Sequence, residues 1–105
     1  MAWITLAIAG LFEVLWAFAM KKSEGFTLLV PSSITVLGAI ASMVLLGLAM
    51  KTLPLGTAYT VWTGIGAVGS FVLGITLLGE PVTPMRLTAA VLIVAGLVLM
   101  KLSSP

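Results

Sequence analysis

A single carboxylate, Glu13, interrupts an apolar run that begins at Ala2, and no basic residue is nearer to it in sequence than Lys21. Holding an Asp or Glu at mid-bilayer costs roughly 2.5–3.5 kcal/mol on insertion scales, and the carboxylates found there are usually functional. Residues three and four apart share a helix face, so Glu13 has Ala9 and Gly10 on one side and Trp16 and Ala17 on the other. The small residues leave room, and the indole closes the far side. Farther along, "AYTVWTG" sets Tyr59, Trp62, Thr63 and Gly66 on one stripe, while Ser42 brings a hydroxyl flanked at helical spacing by Gly38, Ala39 and Ala49. A carboxylate ringed by Trp, Tyr and hydroxyls suits a desolvated organic cation, which needs an opposite charge, π faces and a few acceptors. Two structural roles compete with this reading: an ion pair across helices, and a protonated carboxyl hydrogen-bonded between them. Every basic residue falls at a helix end, so the first role has no buried partner.

The elements that must position these residues follow from composition. Of 105 residues, 61% are hydrophobic and 8% charged, against about 25% charged in a soluble domain. The charges cluster between four apolar stretches, which predict transmembrane helices over about residues 2–20, 28–50, 55–78 and 84–101. Each is near the ~20 residues that cross a hydrocarbon core, the last with Arg86 and Lys101 snorkelling to the two interfaces. The expected fold is an all-α membrane protein, a single four-helix transmembrane domain over residues 1–105. "AFA" at Ala17–Ala19 looks like a signal-peptide cleavage site, but the stretch lacks a basic n-region and contains Glu13, so it reads as a retained helix. Trp3 reads as an interfacial anchor.

The connections are short. Gly25 is expected to end the first helix, Pro54 and Gly56 to shape the second turn, and Thr83 to cap a fourth helix that starts at Pro84. The glycines Gly64, Gly66 and Gly69 allow close helix contact or a bend in the third helix. Cys and His are absent, which removes thiols and the commonest metal ligand. No cofactor, no metal and no enzymatic activity are expected. A net charge of +2, dispersed along the chain, gives no footprint for nucleic acid.

Counting Lys and Arg near helix ends, Lys51 and Lys101 fall on one side of the bilayer and Lys21, Lys22 and Arg86 on the other. This near-tie under the positive-inside rule fits either one fixed orientation or insertion both ways. Secondary transporters are often built from inverted repeats around a midplane site, and two antiparallel copies of this chain would supply them. Two Glu13 carboxyls would then share one cavity and titrate as a coupled unit. Ala89, Ile93 and Gly96 form a small-residue stripe suited to pairing the fourth helices.

The segments "AGLFEVLWAFAMKKSEGFT", "VPSSITV", "KTLPLGTAYTVWTGIGAVGS" and "AGLVLMK" resemble the small multidrug resistance family, and within it the guanidinium-exporter subtype, essentially end to end. Trp16 and "WTGIGAVG" carry the subtype resemblance. It implies an antiparallel, dual-topology homodimer in the bacterial inner (plasma) membrane, multi-pass, which exchanges protons for guanidinium and small guanidinyl cations. Glu13 would bind both proton and substrate, with Gly10, Trp16, Ser42, Tyr59 and Trp62 around it, and Ala89 and Gly96 would make the dimer contact. Ala89 stands where the family pattern has Gly, and Thr60 where it has Ala.

Two other readings stay open from the residues alone. One is an exporter of quaternary ammonium compounds with the same fold. The other is a non-transporting membrane assembly subunit, in which Glu13→Gln would be tolerated. A channel would need a ring of charges or a filter loop, and neither is present.

Overall fold

The computed structural model describes residues 1–103. Four helices follow one another, α1 (Ala2–Lys22), α2 (Leu29–Ala49), α3 (Leu55–Leu78) and α4 (Pro84–Ser103). All four are long and apolar enough to cross a bilayer. Lipid offers no hydrogen bonds, so a spanning segment must satisfy its own N–H and C=O groups, which an α-helix does.

Local chemistry ends each helix. Ser23 closes α1: its Oγ donates to the Met20 carbonyl at 2.6 Å and accepts from the Phe26 N–H at 3.0 Å. Gly25 lies beyond the helix end, in a turn where Glu24, Gly25 and Phe26 all take left-handed backbone. The helix therefore stops two residues before the glycine, because the Ser23 side chain takes over its last turn. Pro54 leads into α3 in extended conformation, and Gly79 leaves it in left-handed conformation. The Thr83 Oγ1 accepts the Arg86 N–H at 3.1 Å, an N-cap for α4.

α1 is the central helix. It packs along α2 and along α3, whereas α2 and α3 touch only briefly, and α4 lies against α3. The core gathers Leu6 and Ala9 of α1, Leu46 and Ala49 of α2, and Ala58, Val61 and Trp62 of α3. It therefore sits toward the end of the bundle that carries the α2–α3 connection. α4 has no buried residue among those described. Its C-terminal end is tethered by Lys101, whose Nζ lies 4.6 Å from the centroid of the Trp3 ring.

Glycines set the spacing of the helices. A Cβ on Gly64 would strike the Leu97 side chain of α4, and one on Gly69 would strike Val14 of α1. Overpacking a contact of this kind costs about 1–3 kcal/mol. Gly64→Val should therefore lower the thermal stability of the detergent-solubilised protein, and adding Leu97→Ala should recover part of the loss. A loss of the same size with and without the second change would show that α4 does not seat on Gly64.

Candidate functional site

Glu13 projects from the middle of α1 onto α3 at Gly66. A Cβ on Gly66 would occupy the space of the Glu13 carboxylate, so only glycine lets the acid lie flat on the neighbouring helix. The Glu13 Oε1 is buried and accepts no hydrogen bond from the described residues. The one ion pair among the described residues is elsewhere, between Arg86 and Glu80 at 3.3 Å. The carboxylate thus has neither a cation nor a donor, a costly arrangement in a low-dielectric interior.

Trp16, one turn further along the same helix, leans on α2. A Cβ on Gly38 would come within 3.0 Å of the Trp16 Cβ. Its Nε1–H is also buried without a partner. An unsatisfied donor and an unsatisfied acceptor therefore stand three residues apart on one helix, where side chains can meet.

The other aromatic wall is held rigidly. The Trp62 Nε1–H donates to Ser42 Oγ at 2.8 Å, and Ser42 Oγ donates in turn to the Ala9 carbonyl at 2.7 Å. Ser42 is fully buried. The relay links α3, α2 and α1 and fixes the indole of Trp62. The sequence suggests Ser42 as a direct contact to a cation; here its hydroxyl donates to Ala9 and accepts from Trp62, which leaves it one acceptor lone pair. Tyr59 packs on Trp62 with ring centroids 5.5 Å apart and planes inclined at 48°. The remainder of the Tyr59 side chain is exposed.

Gly10, expected to leave room beside the acid, gives that room to Ile65 of α3, whose side chain a Cβ there would strike. Gly66 is the residue that seats the carboxylate. Its stripe with Tyr59 and Trp62 is visible in the sequence, but its pairing with Glu13 depends on how α1 and α3 are aligned. Ala89 and Gly96 are both exposed on α4, remote from Glu13, and a Cβ on Gly96 would meet open space.

A carboxylate with a buried oxygen and no partner among the described residues, three residues from an indole N–H in the same state, can take a proton or accept hydrogen bonds from a cation. No group of three or more acidic, Cys or His side chains that could hold a metal exists among the described residues.

The family model for the small multidrug resistance protein matches residues 1–94 of the chain. A guanidinium exporter of Escherichia coli (strain K12) is 59% identical over 104 residues, covering 99% of each chain. Guanidinium exporters of Citrobacter freundii and Salmonella typhimurium are 57% identical over the same length, again with 99% coverage on both sides.

Removing one partner of a buried hydrogen bond strands the other at about 1–3 kcal/mol. Ser42→Ala and Trp62→Phe should each destabilise the protein by about that much. Their effects should be strongly non-additive, because both break the same relay. Additive losses in thermal unfolding would mean that the two side chains act independently.

Proposed function

The chain belongs to the small multidrug resistance family, and we propose that it is a proton-coupled antiporter that exports guanidinium and small guanidinyl cations across the bacterial inner membrane. The observation that carries this reading is the Glu13 carboxylate, seated on Gly66 with a buried oxygen that has no partner among the described residues. Export of guanidinium by relatives of nearly identical length supports the substrate.

Guanidinium is planar, stays protonated at physiological pH, and presents parallel N–H groups that match a carboxylate bidentately, while its face stacks on an aromatic ring. Trp16 and Trp62 supply such rings on either side of the acid. Trp16 also narrows the site, which favours a small flat ion over a bulky quaternary ammonium that lacks N–H donors. Cation and proton compete for the same oxygens. If the site changes sides only when loaded with one or the other, inward proton flow drives outward cation flow.

The working unit in this reading is an antiparallel pair of identical chains, which supplies the two inverted halves of a transporter. Two features support it. The Lys and Arg count is nearly equal on the two sides, and α4 presents Ala89 and Gly96 on a face that its own chain leaves uncovered. Small residues of this kind let two membrane helices approach closely. Gly96→Leu should therefore convert the detergent-solubilised dimer to monomer in light scattering, and an unchanged mass would remove Gly96 from the interface.

Transport is tested by guanidinium uptake into proteoliposomes under an imposed pH gradient. Wild-type protein should take up guanidinium in proportion to the gradient, and Glu13→Gln should abolish the flux. Flux that survives the substitution would refute the role of Glu13; no flux in wild type would refute the substrate.

The sign of the pH dependence follows from the competition. Protonated Glu13 cannot bind the cation, so lowering the pH weakens guanidinium binding, by at most about tenfold per pH unit for each proton displaced. Raising the pH strengthens binding until the carboxyls are fully ionised, and it then levels off. Binding should release protons into a weakly buffered solution, and Glu13→Gln should show no such release. A guanidinium affinity that is constant with pH in wild type would rule out competition.

A further inference from the structure

α3 carries a row of hydroxyls that the site described so far does not use. Several Thr hydroxyls of the membrane-spanning helices fold back on the carbonyl four residues earlier, as Thr5 does on Met1, Thr35 on Pro31, Thr76 on Val72 and Thr88 on Pro84. That bond is how a hydroxyl facing hydrocarbon satisfies itself. Thr63 and Ser70, like Thr57, Thr60 and Ser32, make no hydrogen bond among the described residues, and these two share the side of α3 that carries Gly66. Thr63 has the Tyr59 carbonyl at the same spacing and does not use it.

Their positions relative to Glu13 are specific. Gly66, which seats the carboxylate, comes three residues after Thr63 and four before Ser70. At 1.5 Å rise per residue the two hydroxyls stand about one turn above and one turn below the acid, on the same side of α3. Each opens into a cavity. Thr63 lines a groove of about 330 Å³ with Tyr59, Thr60, Ala67 and Ile93. Ser70 lines one of about 140 Å³ with Ala17, Lys21, Gly74 and Glu80, which reaches the water edge at its charged end.

The chemistry of the cation says what these hydroxyls are for. A carboxylate takes the two N–H groups along one edge of guanidinium, and the remaining N–H groups still need acceptors. The Trp16 and Trp62 Nε1–H groups are donors and cannot help. Ser42 is already bonded to Trp62 and Ala9. Thr63 and Ser70 are hydroxyl acceptors with lone pairs to spare, one on each side of the acid.

We propose that Thr63 and Ser70 are substrate-positioning residues that accept N–H groups of the guanidinium ion as it passes to and from Glu13, one in each cavity. The proposal rests on the transport function given above and adds to it a selection for cations with N–H donors beyond the edge held by the carboxylate. A neutral hydroxyl bonded to a charged donor contributes enough to change affinity by about tenfold.

The test is guanidinium transport kinetics in proteoliposomes for wild type, Glu13→Gln, Thr63→Val, Thr63→Ser and Ser70→Ala, at equal reconstituted protein. Thr63→Val keeps the shape of the side chain and removes only the hydroxyl. We expect Thr63→Val and Ser70→Ala each to raise KM for guanidinium about tenfold with little change in kcat, and Thr63→Ser to restore the wild-type KM. A wild-type KM in Thr63→Val and Ser70→Ala overturns the proposal. So does a Thr63→Ser variant as impaired as Thr63→Val, which would mean that the γ-methyl matters rather than the oxygen. In either case active wild type and inactive Glu13→Gln would leave the antiport reading standing. Absence of guanidinium flux in wild type would remove both.

Discussion

A carboxylate in hydrocarbon must be given a proton, a cation or a set of donors, and the arrangement around Glu13 supplies none of these from within the described chain. Much of the local architecture follows from that refusal. α3 has to come close enough to enclose the acid without blocking it, which calls for Gly66 at the contact. Trp62, four residues before Gly66 on α3, is tied by the Ser42 relay to the backbone of α1. Trp16 is wedged on Gly38. The result is a carboxylate whose neighbours are fixed in place, the preorganised condition on which the proposed binding of a flat cation would draw.

The bundle divides its labour along the membrane normal. The buried apolar cluster lies at one end, in the first half of α1 and α3 and the second half of α2. Fixed charges stay at the water edges and lie over aromatic rings: Arg86 at 5.2 Å from the Phe71 centroid, Lys22 at 5.6 Å from Phe18, and Lys101 over Trp3. These contacts let the long basic side chains cover apolar surface while their heads remain near water. Among the described residues, no fixed positive charge is thereby left beside Glu13.

The helical character and the place of Glu13 inside a spanning helix were legible because both depend on local sequence: runs of apolar residues, and one charge within them. The Thr83 cap was legible for the same reason, since it is written within four residues of chain. Contacts between helices were not. Gly10 and Gly66 look alike in sequence, but Gly10 meets Ile65 and Gly66 meets the carboxylate, because the relative register of α1 and α3 decides which glycine faces which side chain. Ser42 reads as a polar contact to a ligand, and its bonds to Trp62, twenty residues away, and to Ala9 depend on how the helices are aligned. Gly25 suggests a helix end, whereas the neighbouring Ser23, through its side-chain bonds, places that end two residues earlier.

α4 lies against α3 and buries none of its described residues within the chain. Of the four helices it is also the last to be synthesised. The three helices that enclose Glu13 can therefore finish their packing while the fourth is still being synthesised. In the antiparallel pair proposed above, assembly with a second copy would then be a late event, made by a helix that buries none of its described residues in its own chain, and a chain still waiting for that encounter would already hold the contact between Glu13 and Gly66.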